Sequence, residues 1–262
     1  MAFLDQNLCQ HLLTKAGLSL IAHGQPIIEQ RLNNLAESYH LKSSEDMIHL
    51  SNKDSLFEKK LLSSVTIHET LWFRDSHPFR NIFPVLQGKH NTNGKIKVWC
   101  GACSTGQEAY SLKMIQLMNF PSLNLDIFAS DICQSSIDQA KSGTYDSFSM
   151  SRGIEASTRE RFFSSQGNQW KIFPQVQQGI RFSTLNLKDR FESLPTFDLI
   201  LLRNVIIYFP MEFKKELIHR LVEKLQPGGI LLLGGCESIV GISPHLKLRS
   251  LDKTLYYEKT LS

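Results

Sequence analysis

The residues with the most chemical promise lie in VWCGACSTGQEAYSL, residues 98 to 112. A strand-like stretch runs into the small residues Gly101, Ala102, Ser104, Thr105 and Gly106 and leaves through a helix-like stretch from Gln107. Small side chains let the backbone approach a ligand closely, and a helix N-terminus adds partial positive charge, so a nucleotide-like ligand fits. The same turn also serves many α/β folds simply for tight packing. Gly101 to Gly106 has the spacing of a phosphate loop, but Gln107-Glu108 stands where Lys-Ser/Thr is required, which argues against a nucleotide triphosphatase. Cys100 and Cys103 have redox spacing, yet no second pair or nearby His completes a zinc site, and two small buried thiols are expected.

Two further groups point at the same place. Asp131 ends the next strand-like run, LDIFASD, where dinucleotide folds place an acid that accepts hydrogen bonds from ribose hydroxyls. It also precedes a helix, so a helix N-cap is the competing reading. Asp198 opens DLILLRNVIIYF, in which Arg203-Asn204 follows the apolar run and Tyr208 stands nearby. Polar residues there face the crevice at the carboxyl ends of the strands, where open α/β sheets bind ligands. An Arg in so apolar a stretch needs a partner, and a salt bridge to a buried acid such as Glu108 or Asp198 is the alternative to a ligand contact.

The elements that must hold these groups follow from periodicity. Residues 1 to about 65 have helical period: Leu8, Leu12 and Leu13 share a face, Pro26 suits a first turn, Ser43-Ser44-Glu45-Asp46 opens a helix, and Leu56 to Val65 forms another. After a turn-rich break at Asn91-Thr92-Asn93-Gly94, apolar strands alternate with amphipathic helices. Strands are expected at Lys95 to Cys100, Leu125 to Ser130, Phe197 to Leu202 and Ile230 to Leu233, with Leu255 to Lys259 closing the sheet. Helices are expected at Gln107 to Met118, Gln134 to Ser142 and Pro210 to Leu225, and a turn at Pro227-Gly228-Gly229. Trp170 to Phe173, Gln175 to Gln178 and Ile180 to Leu185 read as a short antiparallel insertion. The fold class is α/β, a Rossmann-like and mainly parallel sheet of right-handed βαβ units. The expected division is a helical N-terminal domain at 1–75 and a ligand-binding domain at 76–262, with the β insertion at about 160–185.

Composition narrows the function classes. The chain of 262 residues is 42% apolar and 21% charged, ordinary for a globular protein. A net charge of +4 is too small to imply nucleic acid, though it permits an acidic protein surface as partner. Five cysteines, an odd number, argue for a reducing compartment. No run approaches about 18 apolar residues, so no membrane insertion is expected, and the start lacks the marks of a signal peptide; a cytoplasmic protein is the expectation.

In combination these segments resemble a known family. HETLWFRDSHPF at 68 to 79, WCGACSTGQEAYSL at 99 to 112, ASDI at 129 to 132, AKSGTY at 140 to 145, NL at 186 to 187, LLRNVIIYF at 201 to 209 and LQPGGILLLGGCES at 225 to 238 occur in family order and at family-like spacing. The chain is similar to the chemotaxis-receptor glutamate methyltransferases of CheR type, which use S-adenosyl-L-methionine and release S-adenosyl-L-homocysteine. The resemblance implies that Thr70 and Arg74 reach the methionine carboxylate end of the cofactor, Glu108 its amino group and Asp131 its ribose. Asn186 and Leu187 would line the adenine side, and Arg203, Asn204 and Tyr208 would lie near the methyl group and the substrate carboxylate. His68 and Gly101 complete the cofactor set. His68 stands for the family's usual Asn, Trp72 for Phe, and Gln107 for the first acid of G-E-E. The implied partner is the cytoplasmic helical region of chemoreceptors or a related signalling protein. The family's helical domain often presents a basic face, whereas residues 1 to 60 are nearly charge-balanced here.

The implied reaction is protein-glutamate O-methylation by direct in-line transfer. A carboxylate is ionised at pH 7 and needs no general base, so Tyr208 and Arg203 would position the acceptor. The alternatives are another carboxylate or protein acceptor, or a catalytically silent module that binds S-adenosylmethionine; loss of the polar handles would mark the latter, and Thr70, Arg74, Glu108, Asp131 and Asn204 are present.

Overall fold

The computed structural model describes residues 3–19, 25–67, 69–89 and 95–260. The expected break at 91–94 and the candidate His68 lie outside these residues. Four helices come first: α1 (Gln6–Ala16), α2 (Gln25–Ser38), α3 (Ser44–Lys53) and α4 (Ser55–Val65). Their ends are encoded locally. Asp5 caps α1 by accepting from the Leu8 N–H, Ser43 and Asp46 form a reciprocal capping box on α3, and Asp54 caps α4. Leu8, Leu12, Leu32, Phe57 and Leu61 are fully buried, and they share one apolar core with Trp99, Ile200 and Phe213 of the α/β region. The helices are therefore a layer on one face of the sheet.

The remaining elements are α5 (His77–Lys89), β1 (Ile96–Gly101), α6 (Gln107–Asn119), β2 (Leu125–Asp131), α7 (Gln134–Ser142), β3 (Thr144–Asp146), α8 (Ser147–Met150), α9 (Ala156–Phe162), β4 (Phe163–Gln166) and β5 (Gln169–Ile172). There follow α10 (Pro174–Gln177), β6 (Ile180–Thr184), β7 (Phe197–Leu202), a 3-10 turn (Ile206–Tyr208), α11 (Met211–Lys224), β8 (Leu225–Leu233), β9 (Leu246–Leu251) and β10 (Thr254–Lys259). The main sheet has the order β6-β2-β1-β7-β8-β10-β9, and β3-β5-β4 form a second, small sheet. From β6 to β8 every pairing is parallel, while β10 is antiparallel to both β8 and β9. β7 is buried along its whole length, as a strand covered on both faces must be. The second face is closed by Phe79, Ile82 and Phe83 of α5 with Ala109, Leu112 and Ile115 of α6. No helix among the described residues is long and apolar enough to cross a membrane.

The chain runs outward from β1 through β2 to β6 and then returns to β7 on the other side of β1. Gly101 is paired with Leu202, so the strand ends at this reversal lie side by side and the segments beyond them diverge. This is the switch point at which open sheets leave a crevice.

Three expectations are corrected. The antiparallel insertion does not span 160–185: it consists of β3, β4 and β5, and Ile180–Thr184 pairs in parallel with β2 from Ile127↔Ile180 to Asp131↔Thr184. An edge strand of a parallel sheet is half covered, so its apolar residues alternate as they do in a hairpin. Gln175 to Gln178 is not a strand but falls in the short helix α10, opened by Pro174 and capped by Gln178. Pro227-Gly228-Gly229 does not precede the strand but bulges within β8, because pairing with β7 already begins at Phe197↔Leu225 and resumes at Leu199↔Ile230.

The small sheet has a structural duty toward the crevice. Trp72, 1% exposed, packs edge-on against Tyr145 of β3 at 4.8 Å and Phe163 of β4 at 5.2 Å, which anchors the loop between α4 and α5. Gly153 makes this possible: its φ is +86°, and a Cβ there would come 2.1 Å from the Trp72 carbonyl oxygen. Gly153→Ala is expected to cost at least about 2 kcal/mol, since both the left-handed backbone and the contact oppose a side chain. Urea unfolding of wild type and variant checks this; equal midpoints would show that the Trp72 loop is not held there.

Candidate active site

Beyond Gly101 the chain turns through Ala102 at φ 54° and Ser104 at φ 50° before Gly106, at φ 93°, opens α6. The Cys103 N–H donates to the Ser130 carbonyl at 2.9 Å, which ties this turn to the end of β2. Asp131 completes the tie. Its Oδ2 accepts from the Ser104 N–H at 2.8 Å and its Oδ1 from the Cys133 N–H at 2.9 Å, with 6% of the residue exposed. The helix-cap reading of Asp131 is thereby replaced: Cys133 is the N-cap of α7, and Asp131 braces two strand-to-helix turns. Cys100 and Cys103 are buried free thiols, and burial pushes both well above the ordinary thiol value.

Arg203 leaves the end of β7 with 2% of its side chain exposed. Its Nη1 donates to Glu108 Oε1 at 2.7 Å, and its Nη2 donates to Asp75 Oδ2 at 3.2 Å and the Arg74 carbonyl at 3.1 Å. The guanidinium also lies 5.2 Å from the ring centre of Phe79. Of the two acids considered as partners, Glu108 is the one that pairs. Asp198 instead accepts from the Lys97 N–H at 2.7 Å.

One crevice gathers most of the candidate residues. Thr70, Arg74, Glu108 and Asp131 line it together with Asn186, Leu187, Arg203, Asn204 and Tyr208. Gly101 is not among its lining residues. A Cβ there would meet the Leu202 Cδ1 at 3.1 Å, so this glycine lets β1 and β7 approach. The side chain of Asn186 is engaged by protein, donating through Nδ2 to the Lys15 carbonyl at 2.7 Å and accepting from the Lys188 N–H at 2.9 Å.

Sequence reasoning missed several contributors. Ala16, Leu18 and Ser19, at the end of α1, form part of the wall, and the Ser19 N–H donates to the Tyr208 carbonyl at 2.9 Å. The only signal for them was the Lys15-Ala16-Gly17 helix end. Ser111 also lines the crevice, and its Oγ accepts from the Phe73 N–H at 2.9 Å, steadying the loop that carries Thr70 and Arg74. Glu69 joins the lining as well. Burial is the main cause that raises the Tyr208 phenol above its ordinary value; Arg74 opposes the rise, and Glu69 and Glu237 add to it. At neutral pH that phenol keeps its proton and can donate it in a hydrogen bond.

This crevice suits a ligand with three kinds of polar handle: a guanidinium for a carboxylate, a carboxylate on α6 for an ammonium, and a carboxylate at the end of β2 for a diol. A carboxylate has about four lone-pair sites, so Glu108 and Asp131 can serve a ligand while keeping their protein partners. Residues 68–255 match the family described as CheR methyltransferase, SAM binding domain. The chain belongs to this family. It is 33% identical over 254 residues to chemotaxis protein methyltransferase 1 of Pseudomonas aeruginosa, covering 92% of each chain. It is also 31% identical over 262 residues to chemotaxis protein methyltransferase 1 of Vibrio cholerae, covering 97% of this chain and 95% of that one. The protein is a methyltransferase that uses S-adenosyl-L-methionine, and the three handles fit that cofactor's carboxylate, ammonium and ribose.

Arg203 is the member whose loss the geometry resists most. Arg203→Leu leaves Glu108 without its guanidinium and two segments unpinned, and should cost about 3 kcal/mol. Chemical denaturation of wild type and variant decides it; a change below about 0.5 kcal/mol, the scale of an ordinary surface substitution, would show that the pair does not hold the crevice together.

Proposed function

We propose that this methyltransferase forms methyl esters on glutamate side chains in the cytoplasmic helical region of chemoreceptors, and that it acts in the cytoplasm, where its five free cysteines stay reduced. In this reading Arg74 and Thr70 hold the methionine carboxylate of the cofactor, Glu108 its ammonium and Asp131 its ribose, with Asn186 and Leu187 on the adenine side. When bound, S-adenosylmethionine supplies a methyl carbon made electrophilic by its sulfonium, which a glutamate oxygen takes in a direct in-line displacement.

The observation that carries the acceptor is Tyr208. A phenol that keeps its proton, with Arg74 close enough to oppose its raised pKa, offers a carboxylate a hydrogen-bond donor beside a positive charge. It offers a poor base to an amine or another phenol. A glutamate is ionised at pH 7, so the protein has no proton to remove. Its task is orientation, for which effective molarities of roughly 10⁵ M and above are available. Arg203, committed to Glu108 and to the Arg74 carbonyl, acts by keeping α6 and the Thr70–Arg74 loop in place. The 31–33% identity to named chemotaxis methyltransferases over most of both chains supports the choice of acceptor.

The test uses S-adenosylmethionine labelled in its methyl group and a purified chemoreceptor cytoplasmic fragment. Label should enter the fragment and leave in mild alkali as volatile methanol, the mark of a methyl ester. Label stable to alkali would defeat the carboxylate reading. Tyr208→Phe should lower kcat about 10- to 100-fold, the scale of one lost hydrogen bond to a charged group, with little change in the KM for cofactor. Because the phenol's pKa is raised above its ordinary value of about 10, the group stays largely protonated up to pH 9, and the wild-type rate should show no large loss from Tyr208 between pH 7 and 9.

A further inference from the structure

Past Leu202 and Leu233, the last paired residues of β7 and β8, two backbones separate and their N–H groups lose sheet partners. Three of them converge on one side chain. Glu237 Oε2 accepts from the Asn204 N–H at 2.7 Å and the Gly234 N–H at 2.8 Å, while Oε1 accepts from the Ile206 N–H at 2.9 Å. The Glu237 N–H closes the arrangement by donating to the Gly234 carbonyl at 2.9 Å. Asn204 is held at φ 59°, a left-handed conformation that asparagine tolerates better than most residues. Gly234 leaves the necessary room, since a Cβ there would lie 2.7 Å from Asn204 Nδ2 and 2.8 Å from Glu237 Oε2. The held backbone leads directly into the turn Ile206–Tyr208, and Asn204 and Tyr208 both line the crevice.

We propose that Glu237 is a positioning residue for methyl transfer: its carboxylate gathers the Asn204, Ile206 and Gly234 N–H groups and thereby sets Asn204 and Tyr208 against the reacting end of the crevice. The carboxylate is suited to this because it is acceptor-only, and charge-assisted bonds to N–H groups are the strong ones. Glutamine has the same shape but turns one acceptor into a donor facing an N–H. The cofactor handles Arg74, Glu108 and Asp131 stand on other elements, so Glu237 governs the acceptor side. The proposal rests on the reading that transfer takes place at the Tyr208 end.

The experiment compares wild type, Glu237→Gln, Gly234→Ala, Tyr208→Phe and the double variant Glu237→Gln/Tyr208→Phe. The amides of residues 204, 206 and 234 should exchange with solvent at least about tenfold faster in Glu237→Gln, while those inside β7 and β8 stay protected. With the chemoreceptor fragment as acceptor, kcat should fall about tenfold or more, and calorimetric affinity for S-adenosylhomocysteine should stay within about threefold. The double variant should be slower than Tyr208→Phe by clearly less than the loss that Glu237→Gln causes alone, because part of that loss passes through Tyr208. Gly234→Ala, whose Cβ would crowd both the Glu237 carboxylate and the Asn204 side chain, should reproduce the kcat loss. Unchanged exchange at the three amides, an unchanged kcat, or multiplicative losses in the double variant would each overturn the proposal. So would loss of S-adenosylhomocysteine binding by both Glu237→Gln and Gly234→Ala, which would make Glu237 a support of the fold at large. A wild type that leaves the fragment unmethylated while Glu237→Gln still frees the three amides would defeat the acceptor reading and uphold the placing role of Glu237.

Discussion

A guanidinium with 2% of its side chain exposed has to find its partners inside the protein, because charge taken from water without compensation costs several kcal/mol. Arg203 finds them on two separate segments: Glu108 in the first turn of α6, and the Arg74 and Asp75 backbone and side chain in the loop before α5. The requirement runs both ways. Glu108 and the loop are placed where Arg203 needs them, which is also where they can meet a ligand. The same three-way tie therefore serves stability and shapes the crevice, and the sheet reversal between β1 and β7 puts it at the strand ends.

Around that tie, support reaches the site from both sides. The small sheet of β3, β4 and β5 contributes no crevice-lining residue, yet it grips Trp72 two residues from Thr70 and two from Arg74. The helical layer contributes the end of α1, whose Lys15 carbonyl takes the Asn186 amide and whose Ser19 N–H reaches Tyr208. Neither layer could be removed without releasing a wall of the crevice.

How much of this was legible depended on the range of the interaction. The strands at Phe197–Leu202 and Leu125–Asp131 and the helix at Gln134–Ser142 were readable because burial on two faces, or on one, writes a local period. The start of α3 at Ser43–Asp46 was readable because a capping box is itself a local motif, whereas the Asp54 cap of α4 went unread. β9 and the short strands β3 and β4 were not, since a strand of three or four residues, or an exposed edge such as Leu246–Leu251, carries too little pattern. α5 escaped because Pro84 interrupts a run that reads as helix only once it packs on the sheet. Of the site, the turn at Gly101–Gly106, Asp131 and Arg203 stood out by type and spacing. Ser111 and Ser19 did not, because a serine reveals its role only when the fold brings a backbone group to it.

The division of labour inside the crevice follows from chain order. Groups suited to a nucleoside and an amino-acid tail come from the first half of the sheet and the loop before it: Thr70, Arg74, Glu108 and Asp131. Those at the other end, Asn204 and Tyr208, stand on a backbone that has left β7 without sheet partners. A segment of that kind has no ladder to fix its path, so its geometry comes from individual contacts, the Glu237 carboxylate and the Ser19 N–H among them. In the proposed assignment the cofactor end is therefore built from turns braced by strand ends. The proposed acceptor end hangs instead on individual contacts beyond the sheet, the three N–H groups gathered by Glu237 foremost, so a single substitution there reaches further into the site than one within a strand.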